Sequence, residues 1–145
     1  MKIAIGNDHK GYEAKLAVVE HLKNKGFDVI DNGSNSLESC DYPDFGVLTA
    51  KQVAEGKADY GVVICSSGEG ISMSANKIKG IRCGIAYNDE TAELIRRHND
   101  ANVIAFGASF MDVKDIIHRI DIFLSTEFEG GRHQRRVDKI KDLEK

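Results

Sequence analysis

The run Tyr60–Ile64 (YGVVI) is apolar along its whole length, ends at Cys65, and passes straight into Ser66-Ser67-Gly68-Glu69-Gly70. A strand without an alternating polar face is covered on both sides, as the central strands of parallel sheets are. Parallel neighbours need crossover connections, so helices must alternate with strands along the chain. They do. Lys2–Asn7 (KIAIGN) reads as a strand, and Glu13–Lys25 carries Leu16, Val19 and Leu22 at helical spacing with Gly26 as its stop. Asp28–Asp31 is a second strand and Asp44–Glu55 a second helix. A short helix is expected from Gly70 to Asn76, a fourth strand over Ile81–Ala86, and a fourth helix over Asp89–Arg97 capped by Asn88 or Asp89. Val103–Phe106 is the fifth strand, Val113–Leu124 the fifth helix, and a basic helix follows Gly130-Gly131 to the C-terminus.

This pattern predicts a single α/β domain over residues 1–145. It is a three-layer αβα sandwich with a five-stranded parallel sheet, Rossmann or flavodoxin-like, plus a C-terminal helix. The expected strand order is 2-1-3-4-5, with a switch point between the first and third strands. Ligands of such sheets bind beyond the carboxyl ends of the strands at that point. Asn7-Asp8-His9 ends the first strand and Cys65–Gly70 ends the third, so the two most unusual loops flank the expected crevice.

Charged residues make up 30% of the chain and the net charge is −3, which gives no global attraction to nucleic acid or to a membrane surface. No apolar run approaches a membrane span, and MKIAIGNDHKG is interrupted too soon for a signal peptide. The three cysteines, Cys40, Cys65 and Cys83, are an odd set with no C-x-x-C pair. That usage indicates reduced thiols in the cytoplasm and no zinc site.

The 65–70 loop fails several known patterns. There is no G-x-x-x-x-G-K-[ST] string, and a G-x-G-x-x-G match from Gly68 ends on Met73. The fifth residue after Cys65 is not followed by the arginine a cysteine phosphatase needs, and G-x-S-x-G does not occur. What is left is a helix start able to bind an anion, with a thiol at its mouth. A thiolate there suits proton abstraction next to a carbonyl, with the Ser66–Gly70 amides holding the enediolate. A small buried residue closing a strand beside tight glycines fits the same residues, and the two readings stay open at this level. His98, ahead of Asn99-Asp100, reads on its own as a helix C-terminal cap. Arg132 and Arg136, four apart within GRHQRR, share one helix face, either solvated or clamping a phosphate. His9 beside Asp8 lies at the expected crevice, while His21 and His118 read as structural.

Five segments in order carry a resemblance: Ile3–Gly11 (IAIGNDHKG), Asp41–Gly46 (DYPDFG), Ile64–Arg82 (ICSSGEGISMSANKIKGIR), Arg97–Gly107 (RHNDANVIAFG) and Glu129–Val137 (EGGRHQRRV). Together they resemble the ribose-5-phosphate isomerase type B family, which includes the galactose-6-phosphate isomerase subunits. The resemblance implies an aldose–ketose isomerase acting on a phosphorylated sugar without metal or cofactor. It implies Cys65 as the base, Ser66, Ser67, Gly68, Glu69 and Gly70 around the enediolate, and His98 as the acid or base of ring opening. Ser67 would act through its hydroxyl, and Asn99 would bind a sugar oxygen. Asp8 and His9 would contact the substrate, Tyr42 would line the pocket, and Arg132 and Arg136 would hold the phosphate. Family members that lack the cysteine use a glutamate at the position of Ile71, which cannot act here. Family members often read C-G-T-G-x-G; here Ser66 replaces a glycine, Ser67 keeps a hydroxyl, and Glu69 puts a carboxylate where the loop usually carries an apolar or neutral residue, while Ser109 stands where many relatives have an arginine. Ribose 5-phosphate is the expected substrate, with a galactose, allose or tetrose phosphate, or a silent sugar-phosphate-binding subunit, as alternatives.

Cys65 ends a strand at its carboxyl end, whereas His98 precedes the fifth strand and belongs at the other end of the sheet. A five-residue strand spans ~17 Å, so one sheet does not bring them together. The expectation is a homodimer with a shared active site, possibly paired into a tetramer, in which His98 and Asn99 come from a second copy.

Overall fold

The structure is a computed structural model describing all residues 1–145. Five parallel strands form one sheet: β1 (Lys2–Asn7), β2 (Asp28–Asp31), β3 (Tyr60–Cys65), β4 (Cys83–Ile85) and β5 (Val103–Gly107). Six helices connect and flank them: α1 (Tyr12–Asn24), α2 (Tyr42–Ala54), α3 (Glu69–Asn76), α4 (Asp89–Arg97), α5 (Val113–Ser125) and α6 (Arg132–Asp142). A single turn of 3₁₀ helix, His9–Gly11, leads into α1.

The two-residue period of the strands sorts their side chains onto two cores. Ile3, Ile5, Val62, Ile64, Ile104 and Phe106 pack against α1, α4 and α5, where they meet Val18, Leu22, Ile116, Ile120 and Phe123. Ala4, Val63, Cys65, Val103 and Ala105 point the other way, toward Ala50 and Val53 of α2 and Ile71 and Ala75 of α3. Cys65 is therefore directed to the face covered by α2 and α3. The side chains on that face are small, which lets these two helices approach the sheet closely. A methyl group on Gly6 would lie 2.6 Å from the Phe45 carbonyl oxygen of α2.

The sheet has the expected class and the expected centre, but its far edge is exchanged: the order is 2-1-3-5-4 rather than 2-1-3-4-5. The physical reason is burial. β5 is apolar and buried at all five positions, whereas β4 is three half-buried residues, narrower than the Ile81–Ala86 span expected for it. The more completely apolar strand takes the place beside β3, and the short one is left at the rim. β3 and β5 pair with Gly61 opposite Val103 and Cys65 opposite Gly107. The switch point between β1 and β3 is unaffected, because β1 pairs with β2 on one side and β3 on the other. No helix is long and apolar enough to cross a membrane.

Candidate functional site

At the carboxyl ends of β1 and β3 the two loops singled out in the sequence come together. The backbone N–H of Asp8 donates to the Ile64 carbonyl at 3.2 Å, which ties the end of β1 to β3. Asp8 is buried, and its carboxylate caps the following turn by accepting from the amides of Lys10 (3.0 Å) and Gly11 (3.2 Å). His9 accepts from the backbone N–H of Cys40 at Nδ1, 3.2 Å away, so its ring is fixed from the loop ahead of α2.

Cys65 is 4% exposed, and its sulfur accepts a hydrogen bond from the Gly68 amide at 3.2 Å. Gly68 is the N-cap of α3 and has φ +84°, a conformation that favours glycine. It is also pressed against β5, where a Cβ would lie 2.9 Å from the Phe106 carbonyl carbon. Ser67 Oγ accepts from the Glu69 amide at 3.2 Å. The Ser66 and Ser109 hydroxyls share a hydrogen bond of 2.8 Å, and the Ser109 amide donates to the Ser66 carbonyl at 3.0 Å. The Ala108 amide donates to the Cys65 carbonyl at 2.9 Å, so the loop after β5 is laced to the loop after β3. Tyr42, at the start of α2, lays its ring on Gly70, where a Cβ would stand 2.4 Å from the ring carbon Cζ. A cleft of about 660 Å³ opens beside the loop, with Ser67, Glu69, Tyr87, Phe110 and Met111 in its walls. Asp8, His9, Tyr42 and Ser66–Gly70 thus gather at one end of the sheet, around Cys65.

The remaining expected residues gather at the other end. His98 is the C-cap of α4, and its amide donates to the Leu94 carbonyl at 2.8 Å. Its ring stacks on His133 with centroids 4.1 Å apart and planes 9° from parallel. Glu129 Oε2 lies 3.5 Å from His98 Nε2 and 3.7 Å from His133 Nε2. The Glu129 amide donates to the Arg97 carbonyl at 2.9 Å, which joins the segment before α6 to the end of α4. Arg132 and Arg136 sit on the exposed face of α6 beside this pair, and Asn99 is exposed next to it. Burial lowers the His133 pKa, and the charges of His98, Arg132 and Arg136 lower it further against the opposing pull of Glu129. The two imidazoles and Glu129 include ligand types that bind metal ions. The stacking disfavours a shared ion, because ring nitrogens bind metals in the ring plane and these planes run parallel.

Sequence reasoning did not identify the frame that holds this end. Asp100 has φ +49° and bridges two arginines: Arg96 Nη1 donates to its Oδ1 at 2.9 Å, and Arg82 Nη2 to its Oδ2 at 3.2 Å. Arg96 is buried, with its guanidinium over the Tyr60 ring at 5.1 Å. The four-residue spacing of Arg96 and Asp100 was a signal for that pair. Glu129 and His133 have the same spacing. His21, half-buried, faces Asp121 at 2.9 Å, whereas His118 is exposed and lies 3.6 Å from the exposed Asp89.

Residues 3–140 match the family described as Ribose/Galactose Isomerase. Ribose-5-phosphate isomerase B of Escherichia coli is 43% identical over 143 residues, covering 99% of this chain and 96% of that protein. Among solved structures, ribose-5-phosphate isomerase B of Clostridium thermocellum superposes with a TM-score of 0.98 at 46% identity, covering 99% of this chain and 97% of that one. The Mycoplasma genitalium enzyme, solved with bound ribulose 5-phosphate, gives 0.96 at 43% identity, with 99% and 95% covered.

Proposed function

Since the chain belongs to the Ribose/Galactose Isomerase family, we propose that it is an aldose–ketose isomerase that interconverts ribose 5-phosphate and ribulose 5-phosphate, with Cys65 as its base. The observation that carries this reading is the buried thiol at the end of β3, with the Gly68 amide on its sulfur and the α3 N-terminus beside it. The Cys65 thiolate takes the C2 proton of the open-chain aldose. The electrons of that C–H bond form the enediolate, and the proton returns at C1 while one moves from O2 to O1. The amides of the Ser66–Gly70 loop meet the oxyanion charge that develops, and the field of the helix terminus favours it. Ser67 orients a substrate oxygen, Asp8 and His9 contact the sugar, and Tyr42 closes the pocket over Gly70.

The ring of the aldose must open first. This is the work of His98, assisted by Asn99, while Arg132 and Arg136 hold the phosphate as charge-assisted donors. Because these four residues lie at the opposite end of the sheet from Cys65, they reach it from a second copy of the chain. The active unit is a homodimer with two shared sites. The three free thiols fit a reducing compartment, the cytoplasm.

The test is to incubate the protein with ribose 5-phosphate and follow ribulose 5-phosphate, alongside allose 6-phosphate, galactose 6-phosphate and erythrose 4-phosphate. Turnover of the pentose above the others supports the reading, and inertness toward all of them overturns it. Cys65→Ala should lower kcat by at least ~10³-fold if the sulfur is the base, and a fully active variant removes that assignment.

A further inference from the structure

We propose that Glu129 and His133 are positioning residues that hold His98 as a directed base for ring opening, with the Glu129 carboxylate behind Nε2 and Nδ1 turned to the sugar. The proposal rests on the reading that His98 opens the ring. Three observations on this cluster carry it. Glu129 Oε2 stands 3.5 Å from His98 Nε2, an ion-pair distance at which its charge favours a proton on that nitrogen. The second imidazole lies flat on the first at 4.1 Å, which blocks rotation of the His98 ring and keeps water from one of its faces. His133 is itself 6% exposed, and its Nε2 has no hydrogen-bond partner, so it is anchored by packing on the buried side of α6.

The charges facing the pair are unequal. Arg132 and Arg136 of α6 act on His133 together with His98, and Arg97 at the end of α4 is already paired to Glu93. Glu129 is the one carboxylate set against both rings. Desolvation and these cations disfavour a proton on His133, and Glu129 stands beside His98 where it meets the positive charge that the step puts on that ring. In the step itself, Nδ1 takes the proton from the anomeric O1. The C1=O1 double bond forms as C1–O4 breaks, and the imidazolium returns the proton to O4. Imidazole is regenerated and nothing else is consumed.

Ribulose 5-phosphate has its O5 esterified and cannot close a five-membered ring, so it separates ring opening from enediolate chemistry. Two assays are run on Glu129→Gln, His133→Ala and His133→Phe: isomerisation of ribose 5-phosphate, and deuterium uptake at C1 of ribulose 5-phosphate in D₂O. Thermal melts establish that each variant is folded. Glu129→Gln is expected to lose at least ~10-fold in kcat on the cyclic aldose while keeping C1 exchange near the wild-type rate. His133→Ala should behave likewise, and His133→Phe, which restores a flat ring without a titrating nitrogen, should recover most of the loss. The proposal is overturned if Glu129→Gln isomerises ribose 5-phosphate like wild type, or if its exchange falls in parallel. A wild-type protein inert in both assays overturns the isomerase reading itself, and the proposal with it.

Discussion

His133 is the one buried histidine, and its environment makes a pH-dependent contribution that can be read directly. Its pKa is lowered from 6.5 by burial first and neighbouring positive charge second. As pH falls below 6.5 the unfolded chain binds a proton there while the folded chain does not, so stability is lost from 6.5 downward and is unaffected above it. The melting temperature of wild type should therefore fall more steeply on acidification than that of His133→Phe, and equal slopes would contradict the assignment. Cys83 is the opposite case, a thiol that burial pushes up to about 12. At pH 9 its alkylation by iodoacetamide, followed by peptide mass mapping, should be at least ~100-fold slower in the native than in the unfolded protein. Individual residues were legible in the sequence where a turn or strand end announced them: Cys65 before its glycines, Asp8-His9 after β1. Glu129 and His133 were not, because the side chains that give them meaning, the ring of His98 above all, lie about thirty residues away in sequence and are joined only by packing.

Elements matter here through the loops they hold apart or together. The loops after β3 and β5 are in backbone contact: a Cβ on Gly107 would stand 2.3 Å from the Ser67 carbonyl oxygen. Gly107→Ala must push the Cys65 loop outward. It should cost about 1–3 kcal/mol in urea unfolding together with most of the activity. Gly68→Ala adds backbone strain at a positive φ and should cost a similar amount. If either variant keeps wild-type stability, the close packing of these loops is not what fixes the site. At the other end, Asp100→Ala leaves the buried Arg96 short of its carboxylate partner and should destabilise by about 2 kcal/mol. Most elements could be read from hydrophobic period and capping residues, and the capping box of Asn88 with Thr91 matches a start expected at Asn88 or Asp89. The exchange of β4 and β5 could not be read from local pattern, because strand order depends on which strand buries more surface once all are assembled.

At the scale of the whole molecule, the expected residues form two groups at opposite ends of one sheet, and this separation is what the dimer proposal rests on. It makes a quantitative prediction. Mixtures of Cys65→Ala and His98→Asn proteins, each inactive alone, should regain about a quarter of wild-type activity after subunit exchange, since half the dimers are mixed and each has one intact site of two. No recovery after verified exchange would place both residues in the same chain's site. Isomerase activity per chain should also fall on dilution below the dimer dissociation constant.

The polarity of the sheet carries one more consequence. A body with complementary halves at its two poles can join its neighbours head to tail, and unless the rotation between copies closes a ring, such joining runs on, because every added copy offers a fresh pole. Only when two copies lie side by side with their strands running in opposite directions does each pole meet its complement at once. If Cys65 and His98 share a site as proposed, their places at opposite ends of the strands favour a closed pair with a two-fold axis across the strands over an open filament.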